Sequence, residues 1–179
     1  MSVVAALPVA AQTAHFSGAV VALGSRFGGT AGVSVDGNGN VFVADLNNNA
    51  VKEILAADGY ATIKTLGSGF NTPEGVAVDG RGNVFVADSG NSAVKEILAA
   101  GGYTTVNTLA SGFSRPNSVA LDGHGNVFVT DGDSIKEILA AGGYTTVNAL
   151  GGAFALPEGV AVDGNGNVFV ADTFNNAVK

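Results

Sequence analysis

The residues able to do chemistry are few, and most recur at a fixed interval. Aspartates stand at 36, 79, 122 and 163, each opening an Asp-Gly-x-Gly-Asn string, and again at 45, 88, 131 and 172. Lys-Glu pairs follow at Lys52–Glu53, Lys95–Glu96 and Lys136–Glu137. There are only two histidines, His15 and His124, and no cysteine. Disulfides and thiolate metal sites are therefore excluded. Two isolated histidines do not make a zinc cluster. A Ser/His/Asp arrangement would have to recruit His124 from the variable position of a turn. The carboxylates are the better candidates. The Asp-Gly-x-Gly-Asn loops (36–40, 79–83, 122–126, 163–167) resemble calcium loops in outline. Calcium wants six to eight oxygens, often with a bidentate Glu closing the loop, and no such Glu follows here. These loops read as hairpins whose Asp and Asn bond nearby backbone. For Asp45, Asp88, Asp131 and Asp172 two readings stand. Each can bond the backbone of the loop after it, or the four can form a carboxylate ring that holds a cation or a basic ligand. Adjacent strand residues face opposite ways, so the lysine of one unit is expected to meet the glutamate of the next.

The elements that must position these side chains form a tandem repeat. The string GVxVDGxGNVFVAD begins at Gly32, Gly75 and Gly159, and a copy opening with Ser118 lies between the last two. Its aspartates are separated by 43, 43 and 41 residues, the short interval arising from two residues missing between Asp131 and Lys136. Residues 32–74 and 75–117 share 30 of 43 positions, the mark of recent duplication. Each unit holds four extended segments, exemplified by GVAV (75–78), NVFVAD (83–88), AVKEIL (93–98) and YTTVNTL (103–109). In NVFVAD, Val84 and Val86 point one way and Phe85 the other. The KEILAA run has helical composition, but its apolar stretch is too short for a stable helix, so it is read as strand. Four short strands per unit, joined by tight turns, predict an all-β fold: a β-propeller of four-stranded up-and-down blades. The expected organisation is a leader at 1–15, the last strand of a blade at 16–31, full repeats at 32–74, 75–117 and 118–158, and a partial repeat at 159–179.

The motif P-x-G-V-A-V-D-x-x-G-N-V-F-V-A-D-x-x-N-N-x-V at 157–178 resembles the NHL repeat. The resemblance covers nearly everything after residue 15. It implies a propeller that is usually six-bladed, so that an open arc or a piece of a longer propeller is favoured over a closed four-blade ring. It also implies an exported binding, sensor or scaffold module, similar to the extracellular propellers of bacterial receptor Ser/Thr kinases. The alternative is a propeller lyase or lactonase of the virginiamycin B lyase type with an acidic metal site. Related lyases carry histidines in the site, which this chain lacks.

Composition narrows the partners. Twenty-seven glycines and a net charge of −7 describe a turn-rich acidic chain, not the basic footprint of a nucleic-acid binder. No apolar run is long enough to cross a membrane as a helix. Residues 1–15 (MSVVAALPVAAQTAH) read as a clipped secretion signal, giving an extracellular or periplasmic expectation. No cofactor and no metal are expected. Positions that vary between units are free to carry a site. They fall in the loops after the second strand and in the connectors between units: Leu46, Asn47, Glu74, Ser89, Arg115, Asn117, Asp133, Leu156, Glu158, Thr173 and Phe174. In an up-and-down blade these two loop sets share one face, which is expected to bind a protein, peptide or glycan. Open blade edges also permit self-association.

Overall fold

A computed structural model describes residue 20 and residues 22–179. The expected leader at 1–15 lies outside the described residues. Blade 1 consists of β1 (Thr30–Val35), β2 (Val41–Asp45), β3 (Ala50–Ile54) and β4 (Ile63–Leu66). Blade 2 follows with β5 (Pro73–Val78), β6 (Val84–Asp88), β7 (Ala93–Ile97) and β8 (Val106–Ser111). Blade 3 holds β9 (Pro116–Leu121), β10 (Val127–Asp131), β11 (Ser134–Leu139) and β12 (Thr146–Leu150). Blade 4 contributes β13 (Pro157–Val162), β14 (Val168–Asp172) and β15 (Ala177–Val178). Every sheet is antiparallel and meandering. The four succeed one another as the blades of a β-propeller, with β1, β5, β9 and β13 meeting in that order along the inner rim.

Alternation along the second strand decides how the blades stack. Phe42 and Ala44 of blade 1 pack on Val76, Val84, Val86 and Ile97 of blade 2. Phe85 and Ala87, on the opposite side of β6, pack on Val119, Val127, Val129 and Ile138 of blade 3. Each inner blade is thus apolar on both sides, which is why its strands read as nearly continuous hydrophobic runs. The KEIL segments are strands, as their length requires. The close approach of inner strands explains the repeat's first glycine: a Cβ on Gly75 would stand 2.5 Å from the Asn117 carbonyl oxygen.

Two expectations need correction. The fourth strand of blade 2 starts at Val106 rather than Tyr103. Tyr60, Tyr103 and Tyr144 close the preceding turn with φ of 69°, 63° and 65°. That left-handed turn aims the Tyr103 and Tyr144 rings into the seams, 6.2 Å from Phe42 and Phe85 of the previous blade. Packing of the ring in the seam compensates a backbone conformation unusual for tyrosine. At the start of the chain, residues 22–29 are not strand, and Thr30 already belongs to β1. The remainder of the terminal strand expected at 16–31 lies outside the described residues.

Candidate functional site

One end of the propeller is formed by the loops after each second strand together with the connectors entering each blade. The two loop sets do share this end, because they bond each other. The Leu46 amide donates to the Gly29 carbonyl (2.8 Å), Gly90 to Asn71 (2.9 Å) and Phe174 to Ala155 (3.0 Å).

Beneath them lies a repeated latch. Asp88 is fully buried at the end of β6. Its Oδ1 accepts from the Asn71 amide (2.7 Å), and its Oδ2 accepts from the Asn91 side chain (2.7 Å). Lys95 Nζ lies 2.6 Å from the same Oδ2. The lysine also donates to the Gly69 carbonyl (2.6 Å) and sits over the Phe70 ring, 5.4 Å from its centroid. Blade 1 repeats this with Asp45, Lys52, Asn48 and Phe27, and blade 4 with Asp172, Lys179, Asn175 and Phe154. Blade 3 keeps Asp131, Lys136 and Phe113. In its shortened loop Ser134 Oγ bonds the Asp131 carbonyl instead (2.8 Å).

The latch overturns two expectations. The lysines do not reach the next blade's glutamates. Lys52 lies opposite Val43, two residues from Asp45, so lysine and aspartate share a side of one sheet. Likewise the aspartate's backbone bonds run back to the connector about 17 residues upstream, not to the loop that follows. Burial alone would raise the Asp45 carboxyl, but bonds from Lys52, Asn48 and the amides of Gly28 and Gly29 outweigh it, and the net shift is downward. Asp172 behaves the same way. Its burial is outweighed by bonds from the Ala155 amide, Lys179 and Asn175, which hold it at about 2. Both oxygens of each carboxylate already hold donors of the latch, so a carboxylate ring would have to compete with those bonds for a cation. The glutamates point to the seams instead. Burial pushes Glu53 and Glu96 above the ordinary range.

On this rigid bed the candidate side chains divide into two groups. Several hold the loops. Asn47 Nδ2 donates to the Gly28 carbonyl (2.8 Å), and Asp133 Oδ1 accepts from the Leu156 amide across the seam between blades 3 and 4 (2.9 Å). Leu46 and Ser89 are half-buried where their turns begin, and Glu74 is half-buried in β5. The others are free to meet a ligand. Arg115, Asn117, Leu156 and Glu158 line one small pocket at the seam between blades 3 and 4. Thr173 and Phe174 are exposed on blade 4, the Phe174 ring to 67%. Glu74, Ser89, Leu46 and Asn47 lie on blades 1 and 2 and do not join that pocket.

The opposite end holds a larger groove, of about 670 Å³, that the sequence reasoning did not single out. Asp79, Arg81, Asp122, His124, Tyr144 and Asp163 are among its lining. The available signal was the variable position of the hairpin, Arg81 in one unit and His124 in the next. The hairpin aspartates are fully engaged within their own turns. Asp79 Oδ1 accepts from the Arg81 and Asn83 amides (2.8 Å each), and Asn83 Nδ2 donates to its Oδ2 (3.0 Å). Among the described residues no cluster of His, Asp or Glu has the arrangement of a metal site.

The NHL repeat family model matches residues 70–97 and 154–179, segments that contain the second strand, the turn and the latch lysine of blades 2 and 4. The chain carries NHL repeats. Among curated proteins none matches it. Solved structures share the NHL propeller's fold at low identity. A nidogen, from a nidogen/laminin complex, superposes with a TM-score of 0.73 at 21% identity, covering 85% of this chain and 59% of that one. A streptogramin B lyase gives 0.67 at 18% identity, covering 84% and 50%. A gluconolactonase from Xanthomonas campestris gives 0.67 at 15%, covering 80% and 54%. The chain thus spans little more than half the length of these structures. At such identities they establish the architecture and leave the activity of this NHL chain to its own residues.

Proposed function

We propose that this NHL propeller is a non-catalytic binding module, a sensor or scaffold that holds a protein or peptide on its connector face. The observation that carries the reading is the cluster of side chains around a shallow cleft, of about 30 Å³, at the seam between blades 3 and 4. There Arg115, Leu156 and Glu158 bring a cation, an apolar side chain and a carboxylate together. The exposed Phe174 ring adds an aromatic anchor on the same end. The backbone below is held by the buried latches, so the side chains are presented on a rigid base with little ordering left to do on binding. Aromatic and arginine side chains are the usual energetic anchors of protein interfaces. An extracellular or periplasmic location belongs to the same proposal and rests on residues 1–15 alone.

The test is capture of peptides selected from a displayed random library on the intact chain. Arg115→Ala, Glu158→Ala and Phe174→Ala combined should weaken the selected peptides at least tenfold while leaving the melting temperature unchanged. Undiminished capture by that variant removes the connector face from consideration.

A further inference from the structure

Blade 3 departs from the repeat at one point, and the other blades show what stands there. In blades 1, 2 and 4 the loop after the second strand contains a short helical turn, at Leu46–Asn48, Ser89–Asn91 and Thr173–Asn175. Each turn ends on an asparagine whose Nδ2 bridges two acceptors. Asn91 donates to Asp88 Oδ2 (2.7 Å) and to the Gly69 carbonyl of the connector (3.0 Å). Asn48 joins Asp45 to Arg26, and Asn175 joins Asp172 to Ala153, in the same way. The shorter interval between Asp131 and Lys136 removes that turn and its asparagine from blade 3, where Gly132 and Asp133 alone connect β10 to β11. Both acceptors remain. Asp131 is buried, and its Oδ2 holds Lys136. The Gly112 carbonyl, at the repeat position of Gly69, accepts no hydrogen bond from the described residues, whereas the Gly69 carbonyl also accepts from Lys95. The tight turn stands clear of its connector as well. A Cβ on Gly90 would meet Thr72 Oγ1 at 2.5 Å, but on Gly132 the nearest connector atoms are Ser114 Cβ and Oγ at 3.6 Å. The Gly90 amide bonds the Asn71 carbonyl at 2.9 Å, and Gly132 reaches the Arg115 carbonyl only at 3.5 Å. The Lys136 side chain is 27% exposed, against 13% for Lys52 and Lys95.

We propose, resting on the reading of the connector face as a binding face, that blade 3 takes from a ligand the group the other blades supply themselves. That group is a primary carboxamide, the side chain of an asparagine or glutamine in a bound peptide. The acceptors set the chemistry. A carboxamide nitrogen carries two hydrogens, one for Asp131 Oδ2 and one for the Gly112 carbonyl, divided as Asn91 divides its own. A carboxylate would be repelled by Asp131 and has no hydrogen to give. An ammonium or guanidinium would lie beside Lys136, which already faces Asp131, and would bring a second positive charge to one negative charge. The neutral amide adds donors without adding charge. Location agrees, because Gly132 also lines the cleft of Arg115, Leu156 and Glu158. A peptide seated in that cleft lies one residue from Asp131.

The test selects peptides from a displayed random library in parallel on the intact chain and on a grafted chain. In the graft, Gly132–Ser134 is replaced by Ser-Gly-Asn-Ser-Ala, the sequence of residues 89–93. It restores the turn that three blades already use, and a melting temperature at or above that of the parent confirms that it is folded. Peptides selected on the parent should share an Asn or Gln. They should bind at least tenfold more weakly when that residue becomes Leu or Met, a comparison that needs no graft, and lose as much on the grafted chain. Selected peptides without a shared carboxamide, or bound undiminished by the graft, overturn the proposal. If Arg115→Ala, Glu158→Ala and Phe174→Ala combined still weakens those peptides, the connector face survives without the carboxamide site. Enrichment of no peptide on either chain removes the connector face, and acetamide then decides the carboxamide site by itself. In amide NMR titrations of the parent chain, acetamide should shift the Gly132 and Arg115 signals saturably. N,N-dimethylacetamide, which has no N–H, should not, and neither compound should do so in the graft. A parent chain whose signals ignore acetamide overturns the proposal.

Discussion

Lys95 Nζ stands 2.6 Å from Oδ2 of the buried Asp88, and this one contact joins four pieces of chain. The aspartate ends β6 and binds the turn after it through Asn91. The lysine comes from β7 and reaches the connector at Gly69. The connector returns a bond from the Asn71 amide to Asp88. The pair therefore fixes the end of the blade on which the candidate binding residues sit, and its recurrence in every blade is architectural.

Replacing Lys95 with methionine keeps the stem over Phe70 but leaves Asp88 buried without its cation. Breaking a buried pair by removing one partner typically costs about 3 kcal/mol or more. For a chain of this size that is a fall of about 10 °C in melting temperature. Lys179→Met should cost clearly less, because the Lys179 side chain is 40% exposed where that of Lys95 is 13% exposed. Thermal melts of the two variants side by side check the ordering.

Gly75→Ala and Gly159→Ala occupy the same repeat position and should differ in outcome. The added methyl at 75 meets the Asn117 carbonyl oxygen at 2.5 Å and Ser118 Cα at 3.0 Å, both main-chain atoms of the next blade. Overpacking of that kind costs about 1–3 kcal/mol. At 159 the nearest atom is the Ala171 methyl at 3.4 Å, an ordinary contact, so stability should move by about 0.5 kcal/mol or less. Urea unfolding of both variants measures the difference.

Much of this was legible beforehand. The 43-residue period and the Val-Phe-Val alternation dictated blades packed on both sides, and the seams follow the alternation residue by residue. The latch was not legible. Its lysine and aspartate are seven residues apart in sequence, and only the β6–β7 register places them on one side of the sheet. The adjacent Lys95–Glu96 pair suggested contact across the seam, but Lys95 bonds within its own blade and Glu96 is simply buried. The propensity of Tyr103 predicts strand, yet the turn needs a left-handed residue and the seam needs a ring. The variable loops were correctly placed on one end. The groove at the other end is not legible in the sequence, because its Asp-Gly-x-Gly-Asn hairpins read as self-contained turns.

Glu53 gives stability a dependence on pH opposite to that of the aspartates. Burial raises its pKa above the ordinary 4.5, with Lys64 offsetting part and Asp36 adding to it. The folded state then binds the proton more readily than the unfolded one, so stability falls as pH rises through the window above 4.5. The latch aspartates contribute in the other direction. Asp172, lowered from 3.8 to about 2, stabilises above 3.8 and loses that contribution as pH falls toward 2. Stability from these groups should peak at about pH 4–5. Glu53→Gln should raise the melting temperature at pH 7, have little effect at pH 4, and so flatten the alkaline side of the profile. A melt series from pH 3 to pH 8 decides it, and an unchanged slope would remove Glu53 as the cause.

Divalent cations provide the sharpest distinction between a binding propeller and one that works through a metal. The groove end carries Asp79, Asp122 and Asp163, a set that looks like a cation site by charge alone. Each uses Oδ1 for two turn amides and Oδ2 for its own asparagine. Calcium wants six to eight oxygens, and recruiting these carboxylates would mean breaking the hairpins that present them. Adding calcium or magnesium at millimolar concentration should therefore leave the melting temperature unchanged, and a chelator should have no effect. A reproducible upward shift that disappears in Asp122→Asn would show that the hairpins give up their bonds for a metal, and would favour the lyase or lactonase reading over the binding module.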